Sequence, residues 1–193
     1  AMGVAQIGPN ALTQLFAPIE RRVGPEGLSR LLDAARAPHD PDMSGLIDEA
    51  PVVRMHTRVI RDLADEAEAI EREAGMATAE YILAHRIPRV AKMVLRALPA
   101  PLARFALSKA IAKNAWTFAG SGSFRIASQR PLVFEITGNP LARELQSAHP
   151  LCAWHCAVFQ TLFRRLADPG AEVIETACCA MGNDACRFTI LRG

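Results

Sequence analysis

The chain has 193 residues, 50% of them hydrophobic and 22% charged, which is enough for one globular core without disulfide staples. A net charge of +2 carries no nucleic-acid signature, and no apolar run reaches the length of a bilayer span. Five cysteines, an odd number, fall within the last 42 residues and no charged-then-apolar leader precedes them, which argues against a secreted disulfide framework; a cytoplasmic protein is expected.

The first two-thirds has helical period. Asn10 is placed to cap a helix running to about Arg22, and Pro25 to Ala37 repeats the pattern with Leu28, Leu31, Leu32 and Ala35 on one face. Residues 39–45 form a loop. Val52 to Ala74 reads as one long amphipathic helix, and Thr78 as the cap of the next, which reaches Arg86. Pro88 opens another helix, Pro99 and Pro101 break it, and Leu102 to Asn114 resumes the period. The texture then changes. Ser123 to Ser128 and Leu132 to Thr137 alternate as strands, after an aromatic, glycine-rich stretch at 116–122 that also reads as strand. Pro150 opens a helix carrying Cys152 to Leu166, and strands at 171–179 and 185–191 flank a Gly182-Asn183-Asp184 turn as a hairpin. The expected fold class is α+β: a small antiparallel sheet covered by helices. A helical N-terminal region, 1–75, precedes a ligand-binding domain, 76–193. The N-terminal helices carry more apolar surface than one small sheet covers, which predicts a homodimer.

Charge is uneven. Residues 40–80 hold eleven acids against four arginines, whereas 81–134 hold no acid but include Arg86, Arg89, Lys92, Arg96, Arg104, Lys109, Lys113, Arg125 and Arg130. One reading is a solvated face that pairs with the acidic helix before it. The other is a patch for carboxylates, phosphates or anionic lipid, which would bring the protein to a membrane surface.

The C-terminal hairpin concentrates potential metal ligands. Cys178 and Cys186 sit on facing strands of a tight turn, Glu175 lies three residues before Cys178, and Cys152 opens the preceding helix, where the helix N-terminus favours a thiolate. Three sulfurs and a carboxylate make a closed tetrahedral set suited to structural zinc. The alternative is a group of buried cysteines that serve only as small apolar side chains.

The hairpin spacing, Glu175-x-x-Cys178, three residues, Gly182, three residues, Cys186-x-Phe188, resembles the signature of the 4-vinyl reductase (V4R) domain family. That family is related to ligand sensors of phenol-responsive activators and to a trafficking-complex subunit fold. The resemblance implies that zinc is held by Cys152, Glu175, Cys178 and Cys186; Cys156 and Cys179 are extra, and His155 is a substitute candidate. Ile7-Gly-Pro-Asn10, Thr78 to Pro88 and Ala115 to Gly122 extend the resemblance, over nearly the full length, to the bacteriochlorophyll-biosynthesis branch. This implies a tetrapyrrole ligand, a divinyl protochlorophyllide-like intermediate, with pathway enzymes as partners at or near the photosynthetic membrane.

Family naming implies vinyl reduction, yet no Gly-x-Gly-x-x-Gly follows a strand and no nicotinamide or flavin motif is visible. The residues therefore favour a carrier or accessory to vinyl reduction over a genuine 4(8)-vinyl reductase, with a small-molecule sensor as a third reading. His56 and His85 are candidate axial ligands for a magnesium tetrapyrrole, against the alternative of ordinary core or surface histidines. Arg86, Arg89 and Lys92 are candidates for its carboxylate edge, and Trp116, Phe118 and Phe124 for its macrocycle, or else for plain sheet core.

Overall fold

The computed structural model describes residues 3–193. Two short strands, β1 (Gln6–Ile7) and β2 (Ile47–Asp48), pair antiparallel and bracket the first helices. Between them lie α1 (Asn10–Thr13) and α2 (Phe16–Ala35). α2 is kinked at Gly24, whose φ of 75° only glycine adopts without strain, so the break expected before Pro25 is present although the helix resumes at once. The Asp48 side chain accepts from the Ala50 N–H at 3.1 Å and caps α3 (Glu49–Asp62).

The single helix expected over 52–74 is two. α3 ends at Asp62, with Leu63 as its C-cap, and α4 (Ala67–His85) begins after a turn. Thr78 is not a cap: it sits inside α4, donating to the Ala74 carbonyl at 2.8 Å and accepting from Trp154 Nε1 at 3.2 Å. Hydroxyl side chains suit both roles, so a cap and a back-bonded mid-helix threonine look alike in sequence. α4 runs across the 75/76 position, and one hydrophobic core joins the residues on either side of it.

The remaining helices are α5 (Arg89–Ala97), α6 (Ala100–Lys113), the short α7 (Trp116–Ala119), where a strand was expected, and α8 (Ala153–Leu166). Strands β3 (Ser123–Gln129), β4 (Leu132–Thr137), β5 (Glu172–Ala177) and β6 (Ala185–Leu191) form an antiparallel sheet in the order β3-β4-β6-β5. On its outer face Glu135 lies opposite both Arg125 and Arg187 and bonds to each, at 2.7 and 2.9 Å; these guanidiniums, Arg125 first, hold its carboxyl below the ordinary range.

α8 is the central helix: Trp154 to Phe159 are buried in succession because the helix is covered on both sides, while Arg164 and Arg165 are exposed in its last turn. Phe159 meets Phe134 at 5.2 Å and Phe188 at 5.4 Å between ring centroids, both edge-on, on the sheet side. Each buried ring contributes about 1.5–3 kcal/mol, and edge-on pairing adds about 0.5–1.5 kcal/mol. The opposite side packs on α4, the most extensive helix pair in the fold. Gly75 makes that approach possible: a Cβ there would collide with the Trp154 carbonyl oxygen and the Ala157 methyl.

Candidate metal centre and adjoining cavity

The start of α8 and the β5–β6 hairpin bring Cys152, Glu175, Cys178 and Cys186 together, with one ligand atom from each lying within 4.8 Å of the others. Glu175 and Cys178 are three positions apart, so in a regular strand they would face opposite sides of the sheet. A bulge between Glu175 and Ala177 re-aims the strand, and both side chains reach the same point. A 3₁₀ turn at Cys179–Met181 and Gly182 in the left-handed region, φ 88°, then bring the chain back into β6. The Asn183 amide oxygen accepts from the Cys178 N–H at 3.1 Å and fixes this knuckle.

The sulfur separations are informative. Cys152 Sγ is 3.6 Å from Cys186 Sγ and 4.0 Å from Cys178 Sγ. These are too long for disulfides, and all five cysteines are free. Tetrahedral ligands about 2.3 Å from a zinc ion would be about 3.8 Å apart. Donors converge on the same sulfurs: the buried Asn139 amide lies 3.5 Å from Cys152 Sγ and 3.6 Å from Cys186 Sγ, and the Cys179 N–H donates to Cys186 Sγ at 3.3 Å. The Cys152 N–H donates to Glu175 Oε1 at 2.9 Å, while Glu175 Oε2 is buried without a partner.

The thiols and the carboxyl of the set perturb one another. Hydrogen bonds from its neighbours push Cys152 well above the ordinary thiol range, whereas bonds from Cys152 and Cys186 draw Cys178 down. Burial, followed by the charge of Cys178, raises Glu175 to about 8. Among the described residues no lysine or arginine pairs with Glu175, although it is largely enclosed. A cluster of buried thiols and a carboxyl with an orphaned oxygen, in which Cys152 and Glu175 resist ionisation beside the others, is the environment a divalent ion satisfies by displacing their protons. The residues therefore fit a metal.

The two extra cysteines stay outside the set, as does His155. Its Nε2 bonds to the Phe118 carbonyl at 3.0 Å, and burial lowers it to about 4, so the ring is a neutral core group. Asn139 is the contributor that sequence reasoning missed; only its place, directly after β4, could have drawn attention to it.

A cavity of about 550 Å³ lies on the other side of α8. Its walls come from the segment before α1, the loop at 44–46, α4, α6, α7 and α8, and are mainly apolar. Arg86, Trp116 and Phe118 line it, together with Ile82, Ile111 and Leu162, which sequence periodicity could not distinguish from ordinary core. The other candidates are placed elsewhere. Phe124 stands behind Phe118, edge-on at 5.4 Å, within the core. His85 is exposed against the Tyr81 ring. Arg89 and Lys92 lie on α5, where Lys92 Nζ donates to the Leu83 carbonyl at 2.7 Å. His56 is buried, with Nδ1 at 2.8 Å from Glu71 Oε2 and Nε2 at 2.7 Å from the Ala11 carbonyl oxygen. Neither ring nitrogen is left for axial ligation.

The expected pairing of the basic stretch with the acidic helix is also not what the fold does. Glu66 and Glu73 bond to Arg21 and Arg22, and Glu80 to Arg165. Arg104 is buried, bonded to Asp168 and to the Ile190 carbonyl.

Residues 132–192 match the V4R domain family model. The chain is 51% identical over 187 residues to the bacteriochlorophyll synthase 23 kDa chain of Cereibacter sphaeroides, covering 96% of this chain and 90% of that one. It is 40% identical over 185 residues to the same-named chain of Rhodobacter capsulatus, covering 96% and 86%. Among solved structures it resembles an unliganded Fe(II) H-NOX protein from K. algicida, with a TM-score of 0.63, 10% identity and 97% of each chain covered. It also resembles an H-NOX protein from S. oneidensis in the Fe(II)NO state, with a TM-score of 0.57, 12% identity, and 96% and 98% covered. At such identities these structures speak to the fold alone.

Proposed function

We propose that this chain, which belongs to the V4R-domain family together with the 23 kDa bacteriochlorophyll synthase chains, binds a tetrapyrrole intermediate of the divinyl protochlorophyllide type. Kinship at 51% and 40% identity supports a role in bacteriochlorophyll biosynthesis. The observation that carries the finer reading is the cavity: about 550 Å³, mainly apolar, with the Trp116 and Phe118 rings in its wall and the Arg86 guanidinium beside them, one N–H donating to the Met43 carbonyl at 2.9 Å and the remaining donors facing a carboxylate edge in this reading. Its volume is that of a pocket for one drug-sized molecule, about 300–1,000 Å³. Zinc is the ion we assign to Cys152, Glu175, Cys178 and Cys186. With four protein ligands it would tie α8 to the hairpin and supply folding free energy, not an open coordination position.

The chain acts in this reading as carrier or accessory to vinyl reduction. A magnesium divinyl pigment titrated into the protein is expected to show a shifted absorbance band, and added NADPH should yield no ethyl product. Arg86→Gln should weaken binding at least about tenfold, since a hydrogen bond to a charged group is worth about 1.5–3 kcal/mol, and Trp116→Ala up to about tenfold, since an aromatic contact is worth about 0.5–1.5 kcal/mol. Ethyl product formed by the protein alone would make it a reductase. Absence of both shift and product would leave a sensor of smaller molecules as the better reading.

A further inference from the structure

Helix α5 has no buried residue, although it connects two helices of the packed core. Val90, Met93 and Val94 are 71%, 68% and 53% exposed, and their spacing places them in one stripe. Arg89, Lys92 and Arg96 form a second stripe beside it. The third face attaches the helix to the rest of the protein through half-buried Leu95, and two side chains of the basic stripe reach back to it, Lys92 Nζ to the Leu83 carbonyl at 2.7 Å and Arg96 Nε to the Arg165 carbonyl at 3.1 Å. Pro99 turns the chain into α6, whose outward face shows Leu102 and Phe105, 56% and 51% exposed. Lys109 Nζ lies over the Phe105 ring, 5.5 Å from its centroid, and Lys113 is exposed one turn further along.

Charge decides what this surface fits. No acid occurs between Tyr81 and Phe134, and the ion pairs of the neighbouring acids are made elsewhere. A second copy docking by the same face across a two-fold axis would lay these cations near their own images. An anionic bilayer surface satisfies the apolar stripe and the exposed cations Arg89, Lys109 and Lys113 at once. Apolar side chains enter the boundary between headgroups and acyl chains, while the long basic side chains extend to the phosphates. We propose that the α5–α6 segment is an interfacial anchor that docks the protein on an anionic lipid bilayer, with Val90, Met93, Val94, Leu102 and Phe105 inserted and Arg89, Lys109 and Lys113 on lipid phosphates. Among the described residues no helix is long and apolar enough to cross a membrane. The anchor does not depend on what fills the cavity.

Flotation of the full chain with vesicles of equimolar phosphatidylglycerol and phosphatidylcholine tests it. The protein should float with these vesicles far better than with pure phosphatidylcholine, and added salt should release it. Arg89→Gln, Lys109→Gln and Lys113→Gln together should weaken binding about a hundredfold, at about 1 kcal/mol per cation and tenfold per 1.4 kcal/mol. Val90→Ser, Met93→Ser and Phe105→Ser together should weaken it at least about tenfold with little change in Tm, because the side chains are exposed. Failure of the wild-type chain to float, or equal flotation of both triple variants, overturns the proposal. So does a wild-type dimer that the serine variant splits, which would give the face to a second copy.

Discussion

A Cys178→Ser chain is expected to lose its metal and to melt about 10 °C below the wild type. A site held at a thousandfold its Kd contributes about 4 kcal/mol, and a chain of this size moves about 2–4 °C per kcal/mol. Cys186→Ser should behave alike, because both thiols are fully buried and both belong to the cluster. Cys179→Ser is the control: it alters the same knuckle but lies outside the cluster, so metal content should persist. Glu175 gives the effect a pH dependence. In the metal-free protein burial holds this carboxyl up to about 8, so an incoming ion must displace its proton, and affinity rises as pH approaches that value. The same raised value makes the metal-free fold lose stability as pH climbs from the ordinary carboxyl range through about 8, whereas the loaded protein does not. Elemental analysis with calorimetry checks all of this. Unaltered Tm in both serine variants would mean that the thiols are packing groups.

The second large effect is expected at His56. Both of its ring nitrogens face acceptors, the Glu71 carboxylate and the Ala11 carbonyl, and only an imidazolium can donate to both. Burial pushes the ring down, but Glu71 and the carbonyl outweigh it, and the net direction is up. Glu71→Ala leaves a buried cation or an unpaired imidazole and should cost about 3–5 kcal/mol. A raised histidine contributes stability that is fully present below its ordinary value of 6.5 and is lost as pH rises through the folded value. The Tm gap between wild type and Glu71→Gln should therefore be widest at mildly acidic pH and narrow in alkali. A gap that stays constant across that range would show that His56 is neutral throughout.

The hairpin and its cysteines were legible because their geometry is local: a turn at Gly182 and ligands at fixed offsets need only strand pairing to meet. The bulge at Thr176, which makes Glu175 and Cys178 agree, leaves no trace in residue type. The break at Leu63 was hidden because Val59, Leu63 and Ile70 keep helical period straight through it, and Ala64, Asp65 and Glu66 are compatible with a helix. Arg104 illustrates a different limit. In sequence it is one more cation in an acid-free stretch, and only the meeting of α6 with the chain end near Asp168 reveals a buried ion pair. Apart from Arg86, Trp116 and Phe118, the cavity wall escaped for the same reason. Leu107, Ile111, Val158 and Leu162 carry the same pattern whether they meet another side chain or a void.

The ligand cluster and the cavity share a single wall. Cys152 stands at the first end of α8, while Trp154, Val158, Phe159 and Leu162 of the same helix line the space beyond. A close-packed helix of this kind moves as a unit, so an ion that sets its entry angle also sets the shape offered to a guest. Thermodynamic reciprocity then applies in both directions: whatever factor the ion adds to the guest's affinity, the guest must return to the ion's. Occupancy of the cavity would become a brake on metal loss, readable as slower extraction by a chelator. Identical extraction with the cavity full and empty would mean that α8 is held too firmly by α4 and the sheet to carry the message.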